Sequence, residues 1–148
     1  MMSNVFDVAK YILSELGEMS TMKLQKLCYY SWVEGLISPE HVAIFSNKVE
    51  AWANGPVCRD LWNLHKGMFY MNKSLIPNDK LSGLSPQYKT FINIALHKYA
   101  GMDAVELSAK THTEKPWMDA IGDANSPKNS SRVITQASVI KYYSELKA

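Results

Sequence analysis

The chain is poor in cysteine: Cys28 and Cys58 are the two among 148 residues. Neither belongs to a C-x-x-C pair or stands beside paired histidines, which argues against a zinc site and against a disulfide scaffold. Each reads as a buried, inert thiol. No run approaches the roughly 18 apolar residues of a membrane span. The stretch from Met1 to Asp7 has neither a basic segment nor an apolar one of the kind that directs export, so a reducing cytoplasm is the expected location. Charge of one sign is lacking as well. The 16 basic and 14 acidic residues leave a formal charge of +2 and are scattered rather than blocked, so no broad field for gripping phosphates arises. No basic recognition helix of a helix-turn-helix is visible, and direct DNA binding is not expected. Internal repeats, low-complexity tracts and interdomain linkers are missing too, so one domain over residues 1–148 is expected.

Apolar material is plentiful, with hydrophobic residues at 47% and charged ones at 20%. That balance suits a folded globule and not a disordered chain. Val5, Phe6, Ala9, Ile12, Leu13 and Leu16 recur at helical spacing after Ser3 or Asn4, with Gly17 as a left-handed stop. Ser20 or Thr21 then opens a second helix through about Gly35, its apolar face made by Leu24, Leu27, Cys28, Ser31 and Trp32. Val42 to Phe45 and Lys48 to Trp52 read as a small β-hairpin, and Asn54-Gly55-Pro56 as the turn that stops it. A helix from Val57 to His65 and an irregular excursion or short strand from Gly67 to Ser85 follow.

Ser85-Pro86 opens a helix whose stripe of Tyr88, Phe91, Ile92, Ala95 and Tyr99 ends at Gly101. Asp103 and Glu106 have capping-box spacing for a short helix to about Lys110, and Pro116 suits the first turn of another. Residues 123–131 read as a polar loop. Thr135 caps a last helix with Val139, Ile140, Tyr143 and Leu146 on one face. The expected fold is mainly α, of α+β type: about six helices with a small antiparallel hairpin or short sheet after the second.

Three segments mix rings with polar groups beyond what core-building requires. In Lys23-Leu24-Gln25-Lys26-Leu27-Cys28-Tyr29-Tyr30, Leu24 and Leu27 belong to the apolar face. Gln25, Lys26, Tyr29 and Tyr30 lie around from it, either as a rim suited to a partner's backbone and carboxylates or as a solvated face with one tyrosine buried. In Glu50-Ala51-Trp52-Ala53-Asn54-Gly55-Pro56-Val57, Gly55 and Pro56 serve the turn. Trp52 is a core residue or an interface anchor. Glu50 must face solvent, meet a cation or cap a backbone N–H. In Thr111-His112-Thr113-Glu114-Lys115-Pro116-Trp117, His112 and Glu114 either organise the chain entry into the Trp117 helix, contact a partner, or act as an acid/base pair of a small hydrolase. No nucleophile or metal set accompanies them, and no cofactor is indicated.

These three blocks, followed by Ile134-Thr135-Gln136-Ala137-Ser138-Val139-Ile140-Lys141-Tyr142-Tyr143, resemble in order the signature of the Panacea domain, the SocA-type antitoxin family that includes phage-associated GepA-like proteins. The resemblance implies a bacterial or phage-borne antitoxin, not an enzyme, that neutralises a cognate toxin by direct binding. It also implies that some members hand the toxin to a ClpXP-type protease as adaptors. Transferred position by position, it places the partner surface at Gln25, Lys26, Tyr29, Trp52, His112, Glu114 and Trp117. The chain departs from the family pattern at Ser31-Trp32-Val33-Glu34-Gly35, where alanine then glutamine is more usual, and this bears on which partner is bound. A phage-encoded protein that binds a host factor other than a toxin is the alternative. The oligomeric state is left open.

Overall fold

A computed structural model describes residues 3–122 and 131–147. Helix α1 (Val5–Leu16) begins at Asn4, whose side chain accepts the N–H groups of Phe6 and Asp7 while Asp7 returns a bond to the Asn4 N–H, a reciprocal capping box. Gly17 has the positive φ that a stop requires, 83°, but with an extended ψ of −170°, so it feeds the chain directly into strand β1 (Met19–Ser20). Ser20 caps α2 (Thr21–Leu36), its hydroxyl accepting the Lys23 N–H.

Every residue of α2 from Leu24 to Leu36 is buried. A helix hydrophobic on one face alone would sit at the surface; this one is wrapped by α1, the later helices and a hairpin.

The hairpin lies one step later than the sequence pattern suggested. Strand β2 (Val49–Trp52) pairs antiparallel with β3 (Gly55–Cys58), with Trp52 opposite Gly55 and Ala51 opposite Pro56. The 42–45 segment is irregular instead. Ile44 and Phe45 are buried in the core, Phe45 stacked on Trp32, and their β-prone composition reflects that burial. Pro56 does not stop a strand but sits within one. The Ala51 N–H turns away from β3 to the Arg132 carbonyl, so at this pair no ladder bond is owed and the missing proline N–H costs nothing. Arg132 and Ile134 add a third edge to β2 through that bond and one from the Ile134 N–H to the Val49 carbonyl.

Helix α3 (Arg59–His65) starts two residues later than expected because Val57 and Cys58 belong to β3. The excursion contains β4 (Tyr70–Met71), paired antiparallel with β1, and two 3₁₀ turns, Lys73–Leu75 and Asn78–Lys80. Asp7 pins its far end by accepting the N–H groups of Ser82 and Gly83 at 2.9 and 2.8 Å.

Four more helices complete the described fold: α4 (Pro86–Tyr99), capped by Ser85; α5 (Ala104–His112), with the Asp103/Glu106 capping box; α6 (Lys115–Ile121); and α7 (Gln136–Lys147). The described residues thus hold seven α-helices where about six were expected, and the mainly helical reading with a small antiparallel hairpin holds. On α7, Val139 is buried but Leu146 is 61% exposed, so the buried face ends before the C-terminal turn. The polar loop expected over 123–131 lies, except for Ser131, outside the described residues. Among the described residues no helix is long and apolar enough to cross a membrane.

Close packing of α2 makes one glycine indispensable. A Cβ at Gly35 would stand 2.4 Å from the Val42 carbonyl oxygen and 3.2 Å from Ile44 Cγ2. Alanine is the better helix former by about 1 kcal/mol, yet Gly35→Ala is expected to lower unfolding free energy by roughly 1–3 kcal/mol through overpacking. Urea titration decides the sign.

Candidate functional site

The outer edge of β3 would be an open row of backbone groups if α2 did not cover it. Gln25 does so as a strand would. Its Oε1 accepts the Cys58 N–H at 2.9 Å and its Nε2 donates to the Cys58 carbonyl at 3.2 Å. The second Nε2 proton goes to His65 Nε2, 3.0 Å away. Since the amide nitrogen can only donate, His65 is thereby fixed with its proton on Nδ1. Burial pushes the His65 imidazole below its ordinary pKa, and the Lys26 charge adds to the fall. The next residue of α2 supplies the next bond, from Lys26 Nζ to the Pro56 carbonyl at 3.2 Å. Gly55, at φ 115°, lies directly over the lysine: a Cβ there would meet Lys26 Cε at 2.7 Å and Thr111 Oγ1 at 2.9 Å.

The third motif grips the same hairpin as well. Trp117 Nε1 donates to the Trp52 carbonyl at 2.8 Å, and the His112 ring stacks on Trp117 with centroids 4.0 Å apart. Burial, with the Lys26 charge second, lowers the His112 pKa, while a backbone hydrogen bond at Ala53 opposes the fall. His112 Nε2 is buried with no hydrogen-bond partner among the described residues. Glu114 turns the other way: its carboxylate accepts from Tyr30 Oη at 2.7 Å, Tyr143 Oη at 3.2 Å and Lys110 Nζ at 2.6 Å. Burial and the Glu114 charge drive the pKa values of Tyr30 and Tyr143 far above the ordinary phenol range, so both stay donors. Pro116 is buried in the first turn of α6.

The seven residues predicted to form a partner surface therefore fall into three groups. Tyr29 and Glu114 are interior, as is the neighbouring Tyr30; Tyr29 is 2% exposed and its hydroxyl has no partner among the described residues. The picture of Gln25, Lys26, Tyr29 and Tyr30 as an outward rim does not hold, because α2 is enclosed on that side too. His112 and Trp117 are half-buried behind the hairpin. Gln25, Lys26 and Trp52 meet at the wall of a concave pocket of about 300 Å³.

Trp62, His65 and Lys66 line the same pocket, with the more exposed Met22 and Met68. Trp52 and Trp62 meet edge to face at 5.2 Å. Trp52 Nε1 donates to Glu50, whose same oxygen receives Arg59 Nε at 2.9 Å. Glu50 is thus paired with a cation inside. Lys26 differs from it in kind. Only 1% exposed, it makes no ion pair among the described residues, and burial holds its pKa down to about 8.

Sequence reasoning missed Trp62, His65 and the ribbon beyond them. Phe69 is 84% exposed and Tyr70 62%, and both lie beside Thr21, which donates its N–H to the Phe69 carbonyl and its hydroxyl to that of Met68. A signal was present in Met68-Phe69-Tyr70: three large apolar residues in a stretch without period, where no core stripe can use them. Among the described residues no three His, Cys, Asp or Glu side chains gather as metal ligands.

A family model described as Antitoxin SocA-like, Panacea domain, matches residues 24–118, more than half of the chain. That span takes in the three motif blocks from Leu24 onward and the pocket-lining residues from Gln25 to Met68. Comparison with curated proteins and with solved structures gives no match.

Two expectations follow. Between the lowered pKa of Lys26 and that of a free lysine the unfolded chain binds more protons than the folded one, so stability rises with pH across that window. Below about pH 8 both states carry the charge and the penalty is constant. In Lys26→Met this rise disappears: the gap in unfolding free energy between the two proteins should change by about 2 kcal/mol from pH 7 to 9.5. Thiols and phenols titrate alike in both and cancel; parallel pH curves would mean that Lys26 is not held out of water. In the second pair, Tyr29→Phe should leave stability within about 0.5 kcal/mol, since no hydrogen bond is lost, whereas Tyr30→Phe should lower it by roughly 1–3 kcal/mol. Equal effects in thermal melts would contradict the Glu114 geometry.

Proposed function

Because the chain belongs to the SocA-like antitoxin family with the Panacea domain, we propose that it is the antitoxin of a toxin–antitoxin pair and acts by binding its cognate toxin directly. The family match carries this reading. An antitoxin role in general comes with the family, and with it a non-enzymatic role; the mode of neutralisation is our inference. Support for binding over chemistry comes from Glu114, whose oxygens are occupied by Tyr30, Lys110 and Tyr143. His112 does not reach it, since its Nε2 has no partner among the described residues and its other bond is to the Ala53 backbone, so Glu114 does not orient that imidazole as a general base.

The toxin-binding surface, in this proposal, is centred on the pocket of Gln25, Lys26 and Trp52 and the exposed ribbon of Met68, Phe69 and Tyr70 next to it. A bulky apolar residue at 84% exposure gains nothing in the isolated chain and a great deal when a partner covers it, as interface anchors do. Tyr29, His112, Glu114 and Trp117 contribute indirectly, by holding the hairpin that carries Trp52. Neutralisation is by occlusion of the toxin.

Growth rescue tests the proposal. Each small open reading frame beside this gene is expressed alone and with the chain; one neighbour should arrest growth and the chain should restore it. Phe69→Asp should abolish rescue while leaving the melting temperature within a few degrees, since it removes no buried contact. Toxin abundance on immunoblots should stay constant during rescue. A falling level would point to delivery to a ClpXP-type protease, and absence of any toxic neighbour would point to a host factor as the partner.

A further inference from the structure

The pocket at the hairpin has one sign of charge. Lys26 stands in its wall, Lys66 joins it from the end of α3, and among the described residues no aspartate or glutamate lines it, although the chain carries 14 acidic residues. Elsewhere the buried carboxylates are satisfied: Glu50 pairs with Arg59, Glu34 with Lys98 and Glu114 with Lys110, while Asp7 takes three backbone N–H groups. Lys26 is the one fully buried lysine or arginine among the described residues, and the acceptor its ammonium meets there is a neutral carbonyl, that of Pro56. An ammonium has three protons to give. Two indoles, Trp52 and Trp62, meet edge to face in the wall at 71°, and His65 offers no further donor on Nε2, which already receives a proton from Gln25.

We propose that the pocket receives an acidic residue of the partner protein, its carboxylate paired with Lys26 and the apolar side chain next to it in the partner's sequence laid against Trp52 and Trp62. A carboxylate is the occupant that supplies the missing counter-charge, and the tryptophan faces supply apolar area without competing donors aimed elsewhere. A peptide segment is favoured over a free small anion because the exposed Phe69–Tyr70 ribbon continues from the pocket and gives the flanking residues a surface to cover. The inference rests on the binding role proposed above and specifies which chemistry the partner must present.

The test uses the whole chain, isotope-labelled, and needs no toxin. Capped dipeptides acetyl-Phe-Asp-amide and acetyl-Phe-Asn-amide differ in charge and hardly in shape; inorganic phosphate serves as the non-peptide anion. The aspartyl peptide should bind at least ten-fold more tightly than the asparaginyl one and shift the NMR signals of the Lys26 ε-methylene and of the Trp52 and Trp62 indole N–H groups. In Lys26→Met the two peptides should bind alike. If that variant does not fold, the shifts in the unmutated chain decide alone. Equal affinities, shifts confined to other residues, or phosphate competing as well as the aspartyl peptide would overturn the proposal. Rescue without peptide discrimination would leave the antitoxin reading and remove this one; discrimination without any toxic neighbour would do the reverse.

Discussion

A central helix that is buried on every side and yet carries Gln25, Lys26, Tyr30 and Glu34 imposes the constraint on which this fold depends. Polar groups withdrawn from water must be paired inside, at a penalty of a few kcal/mol each if they are not. Each of the four selects a different neighbour. Gln25 takes both backbone groups of Cys58, Lys26 the Pro56 carbonyl, Tyr30 the Glu114 carboxylate, and Glu34 the Lys98 ammonium. Those bonds fix the hairpin, the junction of α5 with α6, and α4 around one axis. Apolar contacts alone would permit several ways of laying helices against α2; the polar set permits far fewer.

The same bonds explain why three separated sequence blocks form one object. Block one supplies the helix, block two the hairpin whose open edge Gln25 and Lys26 close, and block three the Trp117 and His112 clamp on the Trp52 carbonyl. Glu114 then ties block three back to block one across 84 positions of sequence. Most of these residues are accordingly structural, and the pocket exists because they hold Trp52 and Lys26 where they are.

What could be read beforehand was what is local. Helix α1, the Ser85 cap of α4 and the Asp103/Glu106 box follow from residues within four positions of each other, and they appear where spacing puts them. The hairpin was shifted because β-prone residues at 42–45 are equally good core plugs, and because Pro56 was read as a strand stop. Proline stops a strand only where the ladder needs its N–H; opposite Ala51 it does not. The rim assigned to Gln25 and Tyr30 failed for a deeper reason. Helical periodicity measures which side is apolar, and it has no means of registering a polar side whose partners arrive from β3 and α6. The exposed Phe69 was legible only as composition, and the lone charge of Lys26 not at all, since unpairedness is a property of the assembled neighbourhood.

Glu114 and Lys26 together show how structural and functional burial differ. Both are buried ions, Lys26 on α2 itself and Glu114 bound to Tyr30 one turn further along it. Glu114 receives three donors, so removing it would strand them, and its place is explained by the fold itself. Lys26 has one neutral acceptor and holds a charge that burial disfavours, a role at Pro56 that an uncharged donor could fill more cheaply. A residue retained at a loss to stability, in a concave wall beside uncovered aromatic surface, is accounted for when the missing counter-charge belongs to another molecule. The stability that this chain forgoes at Lys26 is then regained on binding, and the complex, rather than the free chain, is the state in which all of its buried charges are satisfied.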